Sequence, residues 1–159
     1  MPVLEDKAAG VALPETSIII EWLNDRFGGR LIPKDPGKAL EVRLQDRFFD
    51  LYVHTPMGVF TWYLLRPEGQ HDPYGVEQAR TLLLTAYDMI ERRMADREWA
   101  AGDDFSMADC AAAPALFYAN LIVPFGGFVP LRTLPSQTPD RSWHSNVVPA
   151  TVPLMLTPV

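Results

Sequence analysis

The sequence is poor in cysteine and histidine, and this scarcity excludes several classes of site. Its 159 residues include one Cys and three His. A single Cys forms neither an internal disulfide nor a multi-cysteine zinc site. Because His54, His71 and His144 show no metal-ligand spacing, we expect no metal site. Lys and Arg total 14 against 20 Asp and Glu, a formal net charge of −6. This charge argues against a protein that binds nucleic acid through its phosphates.

Targeting and membrane signals are also lacking. The acidic Glu5 and Asp6 stand where a secretory signal has its basic segment, so we expect a cytoplasmic location. Residues 110–131 contain no charge and are long enough to span a bilayer. Pro114 and Pro124 interrupt this stretch, so we expect a buried helix and no membrane partner.

Charge becomes scarce again towards the end of the chain. Residues 124–159 hold only Arg132, Asp140 and Arg141 of the 34 charged residues, yet seven of the fifteen prolines. Proline at this density prevents long helices and disrupts central strands. Two explanations stay open for this Pro-rich irregular tail. It is either a genuine extended segment or the result of a change of reading frame near residues 125–128.

The first thirty residues predict a β-hairpin followed by a helix. Apolar runs at Val3–Leu4 and Val11–Leu13 flank a polar turn that ends in Gly10. The side chains of residues 15–17 then offer oxygens for a helix N-cap, and apolar residues recur at spacings of three and four. Gly28 follows the last of them, as is typical of a helix C-terminus.

The middle of the chain predicts two long helices. Asp35 and Pro36 suit the N-cap and first position of the first helix. We place its apolar face on Leu40, Leu44, Phe48, Leu51 and Tyr52. Pro56 and Gly58 interrupt this helix, which then continues. The second helix runs from about residue 74 to residue 94, with its inward face at Val76, Ala79, Leu83, Ala86, Ile90 and Met94.

The paired carboxylates of the first long helix invite a catalytic interpretation. Asp46 and Asp50 lie four residues apart, but Arg43 and Arg47 belong to the same helix. Opposite charges at these spacings stabilise an exposed helix surface. We therefore interpret the four residues as a solvated charged face.

Ser106 and Asp109 form the clearest local signature, a capping box. The Ser106 hydroxyl can accept a bond from the Asp109 amide, and the Asp109 carboxylate can reach back to the Ser106 amide. We assign both residues a structural role. The following helix, from Met107 to about Val123, is apolar on every side, so it should run through the middle of a bundle. We expect a kink at Pro114 and an inert core thiol at Cys110.

These patterns resemble the glutathione S-transferase family. MPVLED and LPETSIIIEWL, within residues 1–23, look like the second half of its N-terminal domain, and Ser106–Cys110 resembles the capping box of its C-terminal domain. The resemblance covers about residues 1–123. It implies a mainly α fold, an all-α C-terminal bundle preceded by the β-β-α remnant of a thioredoxin-like domain. The implied divisions are a partial glutathione-binding domain (1–29), a linker (30–36), an all-helical domain (37–123) and the tail (124–159).

The resemblance also implies a site for glutathione, which would be a co-substrate and not a cofactor. Pro2 matches the family's cis-proline, which frees the backbone of Met1 to pair with the cysteinyl part of glutathione. Glu15 and Thr16 match the pair that holds the γ-glutamyl end. Thr16 would offer a hydroxyl and an amide to the carboxylate at a helix N-terminus, and Glu15 would take the ammonium.

The activity implied is conjugation of glutathione to a hydrophobic electrophile. This substrate would lie near Tyr52, Pro56 or Phe60. Because the family usually forms dimers, the resemblance also implies a homodimer. The family's thiol-activating residue belongs to a strand-helix-strand segment expected before Met1. We therefore assign no catalytic residue and expect weak or absent transferase activity from these residues alone. A non-enzymatic helical interaction module and a decayed fragment remain as alternatives.

Overall fold

The structure, a computed structural model, describes residues 2–125. Its elements are β1 (Val3–Asp6), β2 (Val11–Pro14), α1 (Thr16–Phe27), α2 (Pro36–Phe48), a π-helical segment (Phe49–His54), α3 (Thr55–Leu65), α4 (Pro73–Met94) and α5 (Met107–Ile122). The predicted fold class is confirmed, since a β-β-α unit precedes a set of packed helices. Residues 126–159 lie outside the described residues, so both explanations of the tail stay open. The domain limits also stay predictions.

The predicted hairpin is present and antiparallel. Leu4 pairs with Leu13, and Asp6 pairs with Val11 at the end next to the turn. The Asp6 carboxylate accepts a hydrogen bond of 2.8 Å from the amide of Ala8, which is a typical Asx-turn. The sequence pattern located this turn correctly.

Helix α1 ends as predicted and begins differently. Gly28 adopts a left-handed conformation with φ of 63°, as its C-cap position requires. At the other end Glu15 has φ of 73°, and no side chain of the described residues bonds the first amides. The expected N-cap by residues 15–17 is therefore wrong. No residue of α1 is buried, although Ile20 packs against the core.

The core lies between α2, the π-helical segment, α3, α4 and α5. Its most enclosed side chains include Phe49, Val53, Leu83 and Tyr87. The predicted inward face of α4 is confirmed at five of its six positions: Ala79, Leu83, Ala86, Ile90 and Met94 are buried. Val76 is partly buried and packs against the same core. The spacing of the apolar residues predicted the inner face of α4 correctly because few polar residues occupy that face.

The predicted face of α2 is wrong at four of five positions. Leu40, Leu44, Leu51 and Tyr52 are exposed, and only Phe48 is buried. The buried residues of α2 are Ala39, Val42, Gln45, Asp46 and Phe48. Two of them are polar, which hides the true inner face from an apolar pattern. Gln45 is accommodated because the Arg93 guanidinium donates to its side-chain oxygen at 2.9 Å.

The predicted interruption near Pro56 takes the form of π-helical turns. Proline has no amide hydrogen, and its ring clashes with the carbonyl of the residue four positions earlier. The segment Phe49–His54 widens the helix before Pro56 is reached, and the Thr55 amide bonds the Asp50 carbonyl. The helix then continues as α3, which confirms the predicted continuation.

Helix α5 spans the predicted range and runs through Pro114 without ending. It is not enclosed on every side, because Tyr118 and Leu121 are more than half exposed. The expectation of a central rod is therefore wrong for one face of α5. Among the helices of residues 2–125, none has the length and apolar character needed to cross a bilayer.

The start of α5 joins three parts of the molecule. The predicted capping box is present, and the Asp109 carboxylate accepts from the Ser106 amide at 2.8 Å. It also accepts from the Ala100 amide at 2.8 Å. The Met107 amide donates to the Leu31 carbonyl at 2.9 Å. The bonds at Ala100 and Leu31 both tie loops to the same helix start, so the capping box has partners outside its own residues.

Candidate functional site

The N-terminus of α1 carries two of the predicted binding residues. Glu15 and Thr16 are exposed where β2 leads into the helix. Because no side chain caps this end in the described part of the chain, its first amides point outward at the positive end of the helix dipole. Such an end favours an anion, and the Thr16 hydroxyl adds a donor beside it. These roles stay predictions.

A cavity of about 330 Å³ opens beside this helix start. Glu15, Ser17 and Glu21 line it from α1 and the residue before it, and Arg43, Asp46 and Arg47 line it from α2. Ile18 and Met107 complete the lining. Within the described residues, Arg43 pairs with Glu21 and Arg47 pairs with Asp46, so these four charges are engaged with one another and Glu15 is the lining charge next to Thr16.

Asp46 is the residue of this site that the sequence interpretation missed. It is 5% exposed, so its assignment to a solvated face is wrong. The Ser17 hydroxyl donates to its carboxylate at 2.8 Å, and the Arg47 guanidinium lies 3.2 Å away. Arg47 also donates to Ser17 at 3.0 Å and pairs with Asp50. A buried carboxylate persists only when it is paired in this way.

The spacing of Asp46 from neighbouring apolar residues could have indicated its burial. Val42, Phe49 and Val53 are buried on the inner face, and Asp46 lies four residues after the first and three before the second. It therefore occupies a core position of the helical period. A charged residue at such a position indicates a specific partner, here Ser17 at the start of α1.

A second polar contact joins α1 to α2 farther along both helices. Arg43 donates to Glu21 through two nitrogens, at 2.8 and 2.7 Å. Hydrogen bonding by Arg43 lowers the pKa of Glu21, and the same contact raises the pKa of Arg43. Because both side chains are partly exposed, water screens the pair and limits its effect on stability.

The remaining predicted substrate contacts are only partly accessible. Pro2 is exposed beside β1, whereas Met1 lies outside the described residues, so the pairing of Met1 with the cysteinyl part stays a prediction. Pro56 and Phe60 are buried in the core and offer no surface to a substrate. Of the three positions suggested for the electrophile, Tyr52 alone is exposed.

Cys110 lies close to this site but is a poor nucleophile. Burial raises the pKa of its thiol, and the neighbouring Asp109 and Asp46 carboxylates raise it further. A thiol must ionise to attack carbon. At neutral pH Cys110 is therefore protonated, in agreement with the inert thiol that the sequence predicts.

A larger groove of about 770 Å³ lies elsewhere, between residues 29–34, the start of α2 and the loop before α5. Neither Glu15 nor Thr16 borders it. Within residues 2–125, no group of three or more His, Cys, Asp or Glu side chains is arranged to hold a metal ion. The chemistry of the candidate site therefore depends on the α1 N-terminus and the charged residues beside it.

Comparison with known proteins gives consistent results. Residues 73–141 match the family model described as glutathione S-transferase, C-terminal domain. A glutathione S-transferase-like protein from a Fusarium species is 28% identical over 116 residues, which cover 70% of this chain and 52% of that protein.

Two solved structures extend the comparison to the fold. A glutathione S-transferase from Methylobacterium radiotolerans, in complex with glutathione sulfonate, is 28% identical with a TM-score of 0.64, covering 79% of this chain and 57% of its own. One from Methylobacillus flagellatus, with glutathione bound, is 27% identical with a TM-score of 0.68, covering 76% of this chain and 59% of its own. The chain spans about half the length of the curated relatives that it matches.

Proposed function

This chain belongs to the glutathione S-transferase family, and from that membership we propose that it binds glutathione at the N-terminus of α1. Thr16 and the first amides of α1 receive the γ-glutamyl carboxylate, and Glu15 receives the ammonium. The ligand's reactive thiol then lies outside this subsite. The observation that supports this proposal is the exposed start of α1, where no side chain of residues 2–125 bonds the first amides.

The charges of the site match those of the γ-glutamyl group. A carboxylate at a helix N-terminus is stabilised by the dipole and by direct hydrogen bonds. A carboxylate side chain beside it, Glu15, complements an ammonium. Recognition of both groups by neighbouring residues selects an α-amino acid end over a simple anion.

The proposed reaction is the family's conjugation of glutathione to a hydrophobic electrophile, in the cytoplasm. The thiolate sulfur of glutathione forms a bond to an electrophilic carbon. The displaced electron pair departs with a leaving group or, in an addition, is the pair of the broken π-bond. We assign this chain the glutathione anchor and one wall of the electrophile site near Tyr52. We assign no residue of the described chain to activation of the glutathione thiol.

The anchor is tested by replacing Thr16. We expect Thr16→Ala to weaken glutathione binding about tenfold or more, because a hydrogen bond to a charged group contributes about 1.5–3 kcal/mol. Isothermal titration calorimetry of the full chain measures this loss. The dipeptide Cys-Gly, which lacks the γ-glutamyl group, should bind neither the wild-type chain nor the variant.

Thr85→Ala provides the matched control. Thr85 is an exposed threonine of α4 whose hydroxyl bonds its own helix at the Thr81 carbonyl, 2.9 Å away. Its replacement should leave glutathione affinity unchanged. Equal affinity of the wild-type and Thr16→Ala chains would contradict the anchor, and a wild-type chain that binds no glutathione would contradict the proposed function.

We also propose that the chain forms a homodimer through the leucine stripe, which we define as Leu40, Leu44 and Leu51. All three side chains are more than half exposed, and Leu40 and Leu44, four residues apart in α2, share one side of that helix. Exposed apolar rows of this kind are typical of protein interfaces. A two-fold arrangement would place the same row on both copies.

Leu44→Glu tests the dimer. We expect the wild-type chain to sediment at twice its mass of 17.8 kDa, and Leu44→Glu to sediment as a monomer because a buried charge without a partner is costly. Leu65→Glu, at a leucine near the end of α3 that is also more than half exposed, should leave the dimer intact. A monomeric wild-type chain, or a dimeric Leu44→Glu, would disprove the assignment of this interface.

A further inference from the structure

We propose that Asp46 is a positioning residue for the glutathione site, an inference that rests on the proposed function. Together with Arg47 it holds Ser17, and through Ser17 it fixes the first turn of α1, where Glu15 and Thr16 lie. Asp46 itself need not contact glutathione. The helices thereby determine the geometry of a binding turn that belongs to the β-β-α unit.

The first turn of α1 needs an external hold. Glu15 has φ of 73° and ψ of 126°, a conformation that is strained for a residue other than glycine. Such a conformation persists only when surrounding contacts determine it. In the described chain this helix has no buried residue and no side-chain cap at its start, so its own packing and capping provide little of the hold.

Asp46 supplies that hold from the opposite side of the cavity. Its carboxylate is 5% exposed and accepts from the Ser17 hydroxyl at 2.8 Å. Arg47 closes the arrangement, since one guanidinium nitrogen lies 3.0 Å from the Ser17 oxygen and 3.2 Å from Asp46. Ser17 is therefore held by two groups of α2. A hydrogen bond to a buried charge is directional and stronger than one between neutral groups.

The structure contains a natural comparison for this contact. Glu21 and Arg43 also join α1 to α2, one helical turn farther from Thr16. If Asp46 only attached one helix to the other, loss of either contact would have similar consequences for glutathione. If Asp46 positions the binding turn, only the contact at Ser17 should affect the ligand. Comparing the two contacts therefore distinguishes positioning of the binding turn from simple attachment of α1 to α2.

The experiment compares variants of both contacts in the full chain. Asp46→Asn and Ser17→Ala should each weaken glutathione binding about tenfold by calorimetry. The double variant should bind no more weakly than either single variant, because both remove the same contact. Arg43→Gln should change glutathione affinity less than twofold while lowering the melting temperature slightly.

Hydrogen exchange gives a readout that does not require the ligand. In Asp46→Asn and in Ser17→Ala, the amide of Ile19, which bonds the Glu15 carbonyl at 3.0 Å, and the bonded amides that follow it should exchange faster, whereas the amides at the C-terminal end of α1 should not change. Ser17→Ala removes one hydroxyl from a partly exposed residue, so it keeps the test valid if Asp46→Asn unfolds.

The two proposals fail in different ways. A wild-type chain that binds no glutathione would overturn the proposed function. A wild-type chain that binds glutathione, with Ser17→Ala and Asp46→Asn binding equally well, would overturn the positioning role alone. The same conclusion would follow if Arg43→Gln weakened binding as much as Asp46→Asn, because attachment of the helices would then suffice.

Discussion

Asp109→Ala should lower the free energy of unfolding by about 3 kcal/mol, since each buried donor left without a partner costs about 1–3 kcal/mol. The carboxylate accepts from the amides of Ala100 and Ser106 and, at 3.0 Å, from the Ser106 hydroxyl. Asp109 and both partner residues are buried, so water cannot replace the lost acceptor. In a domain of this size the loss corresponds to a melting temperature about 10 °C lower.

Circular dichroism during thermal and urea unfolding measures this effect. Asp104→Ala is the control, because Asp104 is an exposed residue of the same loop and its replacement should change stability by less than about 0.5 kcal/mol. Asp109→Asn should fall between the two, since an amide oxygen still accepts. A loss below about 1 kcal/mol in Asp109→Ala would show that the buried amides find other acceptors.

The importance of Asp109 follows from what meets at the start of α5. Its carboxylate holds the loop at Ala100, and the adjacent Met107 amide bonds the Leu31 carbonyl in the segment that leads from α1 to α2. Leu31 is itself held, because its amide donates to the Asn24 side chain of α1 at 3.0 Å. The β-β-α unit and the helices are therefore joined by hydrogen bonds of backbone amides at this point.

Local patterns predicted the elements whose determinants are local. The capping box needs residues only three positions apart, and Gly28 ends α1 because only its own conformation is at issue. Helix α4 presents its apolar residues to the core in a regular period, so its inner face could be read directly. In each case the sequence contains both the feature and its partner.

Helix α2 could not be predicted in the same way. Its inner face includes Gln45 and Asp46, whose partners Arg93 and Ser17 lie 48 and 29 residues away. A polar residue is buried at low cost only when such a partner is present, and the partner is visible only in three dimensions. The leucines on the other face, such as Leu44, were therefore mistaken for core.

In the candidate site, too, some residues could be predicted from the sequence and one could not. Glu15 and Thr16 were identified by resemblance, because they follow the hairpin in a recognisable order. Asp46 was assigned to a solvated surface, because the arginines beside it are compatible with one. Its burial at a core position of the helix, opposite Ser17, changes that assignment. Long-range polar contacts thus account for what the sequence did not reveal.

High pH should reverse the order of stability between the wild-type chain and Tyr87→Phe. Tyr87 is buried, and its hydroxyl donates to the Val123 carbonyl at 3.2 Å. Burial raises the pKa of Tyr87 to about 12, whereas an unfolded tyrosine titrates near pH 10. The folded state therefore favours the protonated form. Its contribution is complete below about pH 10 and is lost as the pH rises towards about 12.

The size of the effect follows from a shift of about two pKa units, which corresponds to roughly 2–3 kcal/mol. At pH 8 the wild-type chain should be more stable than Tyr87→Phe by about 1 kcal/mol, the usual contribution of one hydrogen bond. Near pH 12 it should be the less stable of the two. Urea unfolding at pH 8, 10 and 11.5 measures the difference, in which the titration of all other groups cancels. A difference that stays constant across this range would mean that Tyr87 ionises in the folded chain as readily as in the unfolded one.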